Sequence, residues 1–250
     1  MGDRKTFLIS QIVKYAQKLD AKGFGANHDG NISAKFEEVL LATPTAVSKG
    51  NIVEDLIITL DLSGKLLAGN GKPFSEIQLH LAAYNARDDV KAVVHAHPPF
   101  ATARGLVGKE LRPALPEAIV SIGDVVPVVD FAMPGTPENV KIITQALNVV
   151  DVFMLPGNGV LAVGDSVEQA YLRLELAEHL AKIDYYAQSQ GRPMELSNKN
   201  LTILLEKRAS IGLGPKRPQA TASTTIADTQ LATIKNLITS EIAKVLDEKK

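Results

Sequence analysis

The stretch from Ala92 to Phe100 reads AVVHAHPPF. Small and β-branched apolar residues run up to a Pro-Pro pair, which predicts a short buried strand ending at Pro98. A second helix is expected to begin near Phe100. On a strand, residues two apart point to the same face, so His95 and His97 would aim their imidazoles at one point. Neutral imidazole is a favoured ligand for zinc and its neighbours. The pair taken alone reads equally well as two polar residues at a strand end.

Just upstream, Ser75 to Arg87 repeats apolar residues at helical spacing, with Ile77, Leu81 and Tyr84 on one stripe. Glu76 falls early on that helix. A carboxylate there can complete or face a metal site. It can also act as a general base, taking a proton from a carbon next to a polarised carbonyl. The helix dipole favours a first-turn Glu for structural reasons too. His80, one turn later, reads as a hydrogen-bonded core residue or a support for the site, and His179 as structural.

Further out, three loops could hold an anionic group. Gly30 to Ser33 (GNIS) offers backbone amides, the Asn31 amide and the Ser33 hydroxyl. Thr43 to Thr45 (TPT) offers hydroxyls in a rigid turn. Phe74 to Glu76 places Ser75 at a helix N-terminus, where anions bind well. Turns and caps use the same residues without any ligand.

The remaining elements fill in around these. Helices are expected over Thr6–Lys22, stopped by Gly23, and over Glu138–Val149, Ser166–Gln190 and Ser197–Ser210, with Asp165 or Ser166 capping the third. Strand-like stretches are VLLAT from Val39 and DLIITLDL from Asp55. Ser63-Gly64 then makes a hairpin turn into KLLAG. Two β-branched runs surround a Gly-Asp turn between Ile119 and Phe131, and Val152–Val163 splits at PGNG. Strands and hairpins mixed with helices predict one α/β layered domain over residues 1–211. Residues 212–225 read as a linker and 226–250 as an amphipathic helix, with Leu231, Ile234, Ile238, Ile242 and Val245 on one stripe. A lone helix of that length is marginal in water, so the stripe calls for a partner surface. That surface would be its own domain, a sister subunit or a docking partner.

Composition narrows the function. The 250 residues carry 27 Lys+Arg against 28 Asp+Glu, which argues against nucleic acid as a partner. There is no cysteine, so disulfides, thiolate metal sites and cysteine nucleophiles are excluded. No apolar run approaches the ~18 residues of a membrane span. The expectation is a soluble cytoplasmic protein.

Taken in order, HDGNIS, ATPT, FSEIQLHLAAY, AVVHAHPPFATA and PGNGVLAVGDSVEQA make the chain from about residue 6 to 212 resemble the class II aldolase/adducin family. The resemblance implies an α/β/α three-layer fold around a central, mainly antiparallel sheet. It implies a homotetramer with its sites at subunit contacts. His95 and His97 would bind one divalent metal ion, with zinc foremost and manganese or cobalt as alternatives. Glu76 would be the acid/base that also faces the metal. Gly30, Asn31, Thr45 and Ser75 would line an anion pocket. The implied activity is retro-aldol cleavage of a small hydroxy-carbonyl substrate, a sugar phosphate such as L-fuculose 1-phosphate. A decarboxylase of the same family and a non-catalytic scaffold are the alternatives.

The departures from the family pattern are specific. Asn158 stands where the family usually has a third metal histidine, and an amide oxygen is a weaker ligand than imidazole. His28 stands where fuculose-phosphate aldolases carry a small hydroxyl residue, Ala46 where they carry Gly, and Phe74 where they carry Ser. His28 could supply a cation to the anion pocket. Their two functional tyrosines fall at Ile211 and near Glu117, which leaves Glu117 as a substitute proton donor. The linker and helix at the C-terminus resemble the encapsulation peptides of bacterial microcompartment enzymes. This implies a shell-protein partner bound through residues 226–248.

Overall fold

A computed structural model describes residues 2–215 apart from Pro134 and Arg192. The expected helix over 226–250 and nearly all of the 212–225 linker lie outside the described residues.

The elements run in the order α1 (Gly2–Ala21), β1 (Asn31–Phe36), β2 (Val39–Ala42), β3 (Ile58–Asp61), β4 (Leu66–Ala68), α2 (Ile77–Ala86), β5 (Ala92–Ala96) and α3 (Pro99–Leu106). They continue with α4 (Pro116–Ile122), α5 (Pro137–Leu147), β6 (Val152–Met154), β7 (Val160–Gly164), α6 (Val167–Gln190) and α7 (Asn198–Ser210). The seven strands form one sheet in the order β4-β3-β2-β1-β5-β7-β6, with every strand pair antiparallel. This is the central antiparallel sheet that the sequence motifs imply.

Alternation along the strands separates two cores. Ile32, Ala34, Val94, Ala96, Val160 and Ala162 face Ile12, Tyr15 and Leu19 of α1 and Ala170, Tyr171 and Leu174 of α6. Val93, Leu161 and Val163 face the other way, onto Leu79, Ala83 and Tyr84 of α2 and Ile143 and Leu147 of α5. Helices on both faces of the sheet give three layers. By the same alternation Asn31, Ser33 and His95 face α2, and Asn31 pairs directly with His95 across β1 and β5. The site is built on this face.

One expectation is corrected. The β-branched runs between Ile119 and Phe131 do not form two strands. Pro116 starts α4, Glu117 occupies its first turn, and Gly123 ends it at φ 95°. Ala118, Ile119 and Ile122 bury their side chains, Ala118 and Ile122 in the first core, and this packing overrides the strand preference of Ile and Val. The segment after Gly123 makes only isolated bridges, Val126 with Leu111 and Val128 with Met154. The start of DLIITLDL differs too, because Glu54–Leu56 winds into a 3-10 turn before β3.

A buried ion-pair node ties the elements together at the start of β6. Asp151 is fully buried and accepts from Arg87 at 2.8 Å, Arg208 at 2.6 Å and Arg173 at 3.1 Å. Arg87 follows α2, Arg173 lies on α6 and Arg208 on α7. Arg208 also donates to the carbonyls of Val120 and Ser121.

Candidate metal centre and active site

The end of β5 delivers both histidines where the strand alternation requires. His95 is fully buried. Its Nδ1–H donates to the Val160 carbonyl on the neighbouring strand at 3.0 Å, which leaves Nε2 as the outward atom. His97 is held from the other direction, its Nδ1 lying 3.4 Å from Asp29 Oδ2. A ligating imidazole is commonly oriented in this way, by a carbonyl or carboxylate on its second nitrogen. The two rings meet nearly edge to face, 5.2 Å apart.

Two glycines press against this strand end. Gly159 has φ +71°, and a Cβ there would fall 2.2 Å from the Ala96 carbonyl oxygen and 2.4 Å from His97 Cδ2. Gly30 has φ +78°, and its Cβ would lie 3.1 Å from the His95 carbonyl oxygen. Each must lack a side chain for the loops of Asn31 and Asn158 to reach the histidines.

Glu76 occupies the N-cap position of α2 without bonding the helix amides, and its side chain reaches across to the pair. Its Oε1 lies 3.3 Å from His95 Nε2. Asn158 donates to that oxygen at 2.7 Å, and Asn31 donates to Oε2 at 2.9 Å. Burial works to raise the Glu76 pKa, yet His95 alongside and the amide donors outweigh it. The carboxyl is therefore held well below the usual carboxylate range. Burial, together with His95, lowers the His97 pKa, against the opposing pull of Asp29 and Glu76.

The donor set fits a divalent cation. Nε2 of His95 and Nε2 of His97 are buried and have no hydrogen-bond partner. A carboxylate oxygen of Glu76 joins them, with all three ligand atoms within 4.8 Å of one another. Two imidazoles and a carboxylate on neighbouring elements can hold zinc or a similar ion and leave positions open for a substrate. Asn158 spends its amide nitrogen on Glu76, so only its oxygen is left to offer a metal.

Five of the residues expected from sequence therefore meet here: Glu76, His95, His97, Asn31 and Asn158. Gly30 abuts them through its backbone. Thr45 and Ser75 are exposed on adjoining loops, tied by the Thr45 amide donating to the Lys72 carbonyl at 3.0 Å. Their hydroxyls make no hydrogen bond among the described residues. His28 is exposed, and its carbonyl accepts from the buried Lys49 at 3.0 Å. Phe74 is buried against the His80 ring and lies in the second core, not in the anion loop's open face. Glu117 is exposed in the first turn of α4 and makes no hydrogen bond or ion pair with the cluster among the described residues.

Sequence reasoning missed Asp29, Ser33, Tyr84 and the Val160 carbonyl as supports. Asp29 stood in plain view, immediately before the Gly30-Asn31 turn. Ser33 and Tyr84 carried a subtler signal, two residues beyond Asn31 on a strand and four beyond His80 on a helix.

Known proteins resemble this chain over most of its length. The family model of the class II aldolase and adducin N-terminal domain matches residues 10–185. An L-fuculose phosphate aldolase of Methanocaldococcus jannaschii is 31% identical over 173 residues, 69% of this chain and 93% of that protein. A 5-methylthioribulose-1-phosphate/5-deoxyribulose-1-phosphate aldolase of Escherichia coli O45:K1 is 29% identical, over 82% of this chain and 97% of the other. Among solved structures, an L-fuculose 1-phosphate aldolase superposes with a TM-score of 0.73 at 28% identity, covering 80% of this chain and 95% of its own.

Proposed function

The chain belongs to the class II aldolase and adducin family and is an aldolase-type lyase, and from that premise we propose that it cleaves a carbon–carbon bond in a small phosphorylated hydroxy-ketone. L-Fuculose 1-phosphate and 5-deoxyribulose 1-phosphate are the first substrates to test, since similar proteins are named for them. The observation that carries this reading is the pair of buried, unpartnered imidazole nitrogens beside an ionised carboxylate.

His95 and His97 would hold a divalent ion, zinc foremost, with Glu76 and the Asn158 oxygen beside it. When bound, the ion polarises the substrate's ketone and hydroxyl oxygens and stabilises negative charge that develops there. The remaining work falls to the protein. The hydroxyls of Thr45 and Ser75 and the backbone amides at Gly30 and Asn31 receive the phosphate, with His28 near the rim. Held at that end, the substrate is oriented before reaction. In cleavage, a hydroxyl β to the ketone gives its proton to solvent water and becomes the aldehyde as the bond between the α and β carbons breaks. The electron pair left on the α carbon forms an enediolate. Glu76 relays a proton from solvent to that carbon after cleavage, and removes it from the carbon in the reverse direction. Its two amide donors keep it anionic between these steps.

The test is metal content followed by turnover. Purified protein dialysed without chelator is expected to retain close to one divalent ion per chain. Replacing Glu76 with Gln is expected to lower kcat by about 10²–10⁴-fold while the melting temperature stays near wild type. Undiminished turnover in E76Q would remove the mechanism. Absence of retained metal, even after ions are restored, would favour the non-catalytic alternative.

We infer two further properties from the resemblance. A homotetramer would cover apolar side chains left exposed on one chain, including Leu106, Val107 and Phe131, and light scattering tests its mass. Residues 226–248 would bind a microcompartment shell protein, and removing residues 215–250 should abolish that binding while leaving activity and oligomer mass intact.

A further inference from the structure

Glu76 at the N-cap, His80 and Tyr84 stand four residues apart along α2, and Asn31 and Ser33 stand two apart along β1. Four helical residues advance about 6 Å and two strand residues about 6.7 Å, so the two sets mesh like teeth. The contacts alternate between helix and strand. Asn31 Nδ2 meets Glu76 Oε2 at 2.9 Å. His80 Nε2 meets Asn31 Oδ1 at 2.7 Å. Ser33 Oγ meets His80 Nδ1 and the Tyr84 hydroxyl, each at 2.7 Å. Ser33 and His80 are wholly buried, and Asn31 and Tyr84 nearly so.

Singly, most of these links could donate in either direction. Together they cannot. The ionised Glu76 carboxylate only accepts, so Asn31 must turn its NH₂ toward it and its oxygen toward His80. His80 must then carry its proton on Nε2. Full burial keeps the ring neutral, so Nδ1 accepts from the Ser33 hydroxyl, and Ser33 accepts from Tyr84. One direction runs through the whole series, from the Tyr84 hydroxyl to the Glu76 carboxylate.

We infer that His80 is the positioning residue of this site: its Nε2–H tautomer locks the Asn31 amide so that a donor always faces Glu76. The inference rests on the proposed role of Glu76 as the base. His80 itself touches neither substrate nor metal. Its part is to keep Asn31 from presenting its oxygen to the carboxylate, which would push Glu76 out of line with the space between His95 and His97.

Two measurements on the full-length, zinc-loaded protein test it. Long-range proton–nitrogen correlation spectra of the imidazoles, with His80 assigned by its loss in a variant, are expected to show the Nε2–H tautomer at neutral pH. An Nδ1–H or doubly protonated His80 would overturn the inference. In kinetics on L-fuculose 1-phosphate and 5-deoxyribulose 1-phosphate, His80→Leu is expected to lower kcat by about 30-fold or more, with KM within about threefold and zinc content unchanged. His80→Gln, which retains a donor near the place of Nε2 and an acceptor for Ser33, is expected to recover kcat to within about fivefold of wild type. Equal losses in the two variants, or a His80→Leu enzyme within twofold of wild type, would overturn the inference. If His80→Leu does not fold, His80→Asn takes its place, since its shorter arm cannot reach Asn31. A wild-type protein that cleaves neither substrate would overturn the functional reading and leave the tautomer measurement to judge this one.

Discussion

Gly159 shows how closely the strand end is fitted. Its α-carbon sits where any side chain would enter the Ala96 carbonyl and the His97 ring. Replacing Gly159 with Ala must move the β6–β7 turn, the histidine or both, and the positive φ adds strain of about 1 kcal/mol. The expected outcome is at least a tenfold weaker hold on zinc, measured by competition with a chelator, in protein that still shows the wild-type circular dichroism. Unchanged affinity would mean that the turn yields freely and that Gly159 has no part in placing His97. Single residues also mark what the sequence could disclose. His95, His97 and Glu76 were legible, because parity along a strand and position at a helix start are local properties. Asp29 was not singled out as an orienting partner, because its closeness to His97 depends on how two distant segments cross. Phe74 stands where fuculose-phosphate aldolases carry Ser, yet it faces the core, and nothing within its own loop distinguishes the two orientations.

At the level of elements, helix ends were read well and β-branched runs less so. Ser166 caps α6, its hydroxyl accepting from the Gln169 amide at 3.2 Å, as a serine before an amphipathic run suggests. Ser166→Ala removes that acceptor and is expected to cost about 1 kcal/mol of stability by urea unfolding, with kcat untouched. A change beneath a few tenths would mean that water replaces the cap fully. The strands next to the histidines were legible from short apolar runs bounded by turn residues. The region after Leu115 was not, because Ile and Val favour strands locally and only packing against the first core selects a helix. The reach of α2 across β1 could be stated only once the sheet order was known. The residue spacing allows Glu76, His80 and Tyr84 to face Asn31 and Ser33 but does not require it.

For the whole molecule, stability hangs on two buried polar groups with different behaviour. Asp151 pairs with guanidinium groups from three segments. Asp151→Ala leaves them buried and mutually repelling, at a cost of about 3–5 kcal/mol. That is a large part of the total for an ordinary domain, so the variant should unfold at markedly lower urea than wild type. A midpoint near wild type would show that the arginines find other partners. His80 governs the response to acid. Burial foremost, with help from His95, lowers its pKa from 6.5 to about 3. The unfolded chain therefore binds a proton that the folded chain refuses throughout that interval. Stability is complete above about pH 6.5 and declines as pH falls toward 3, with a slope approaching about 1.4 kcal/mol per pH unit from this one group. His97 adds to the slope in the same sense. Metal-free protein measured by urea unfolding between pH 4.5 and 6.5 should show the decline, and His80→Gln should flatten it. Parallel curves for the two proteins would assign the acid sensitivity elsewhere.

The Asp151 node also defines a load path. Arg208, near the end of α7, is the last side chain of the described fold bound into the interior, with only a handful of residues between it and residue 215. Tension on the chain beyond that point is delivered first to Arg208, and through it to Asp151 at the root of the outermost strand, β6. Arg87 passes part of that load to the end of α2, the helix that begins at Glu76. A pull at Arg208 is thus shared at once among three segments of the fold, with one buried carboxylate as their common anchor.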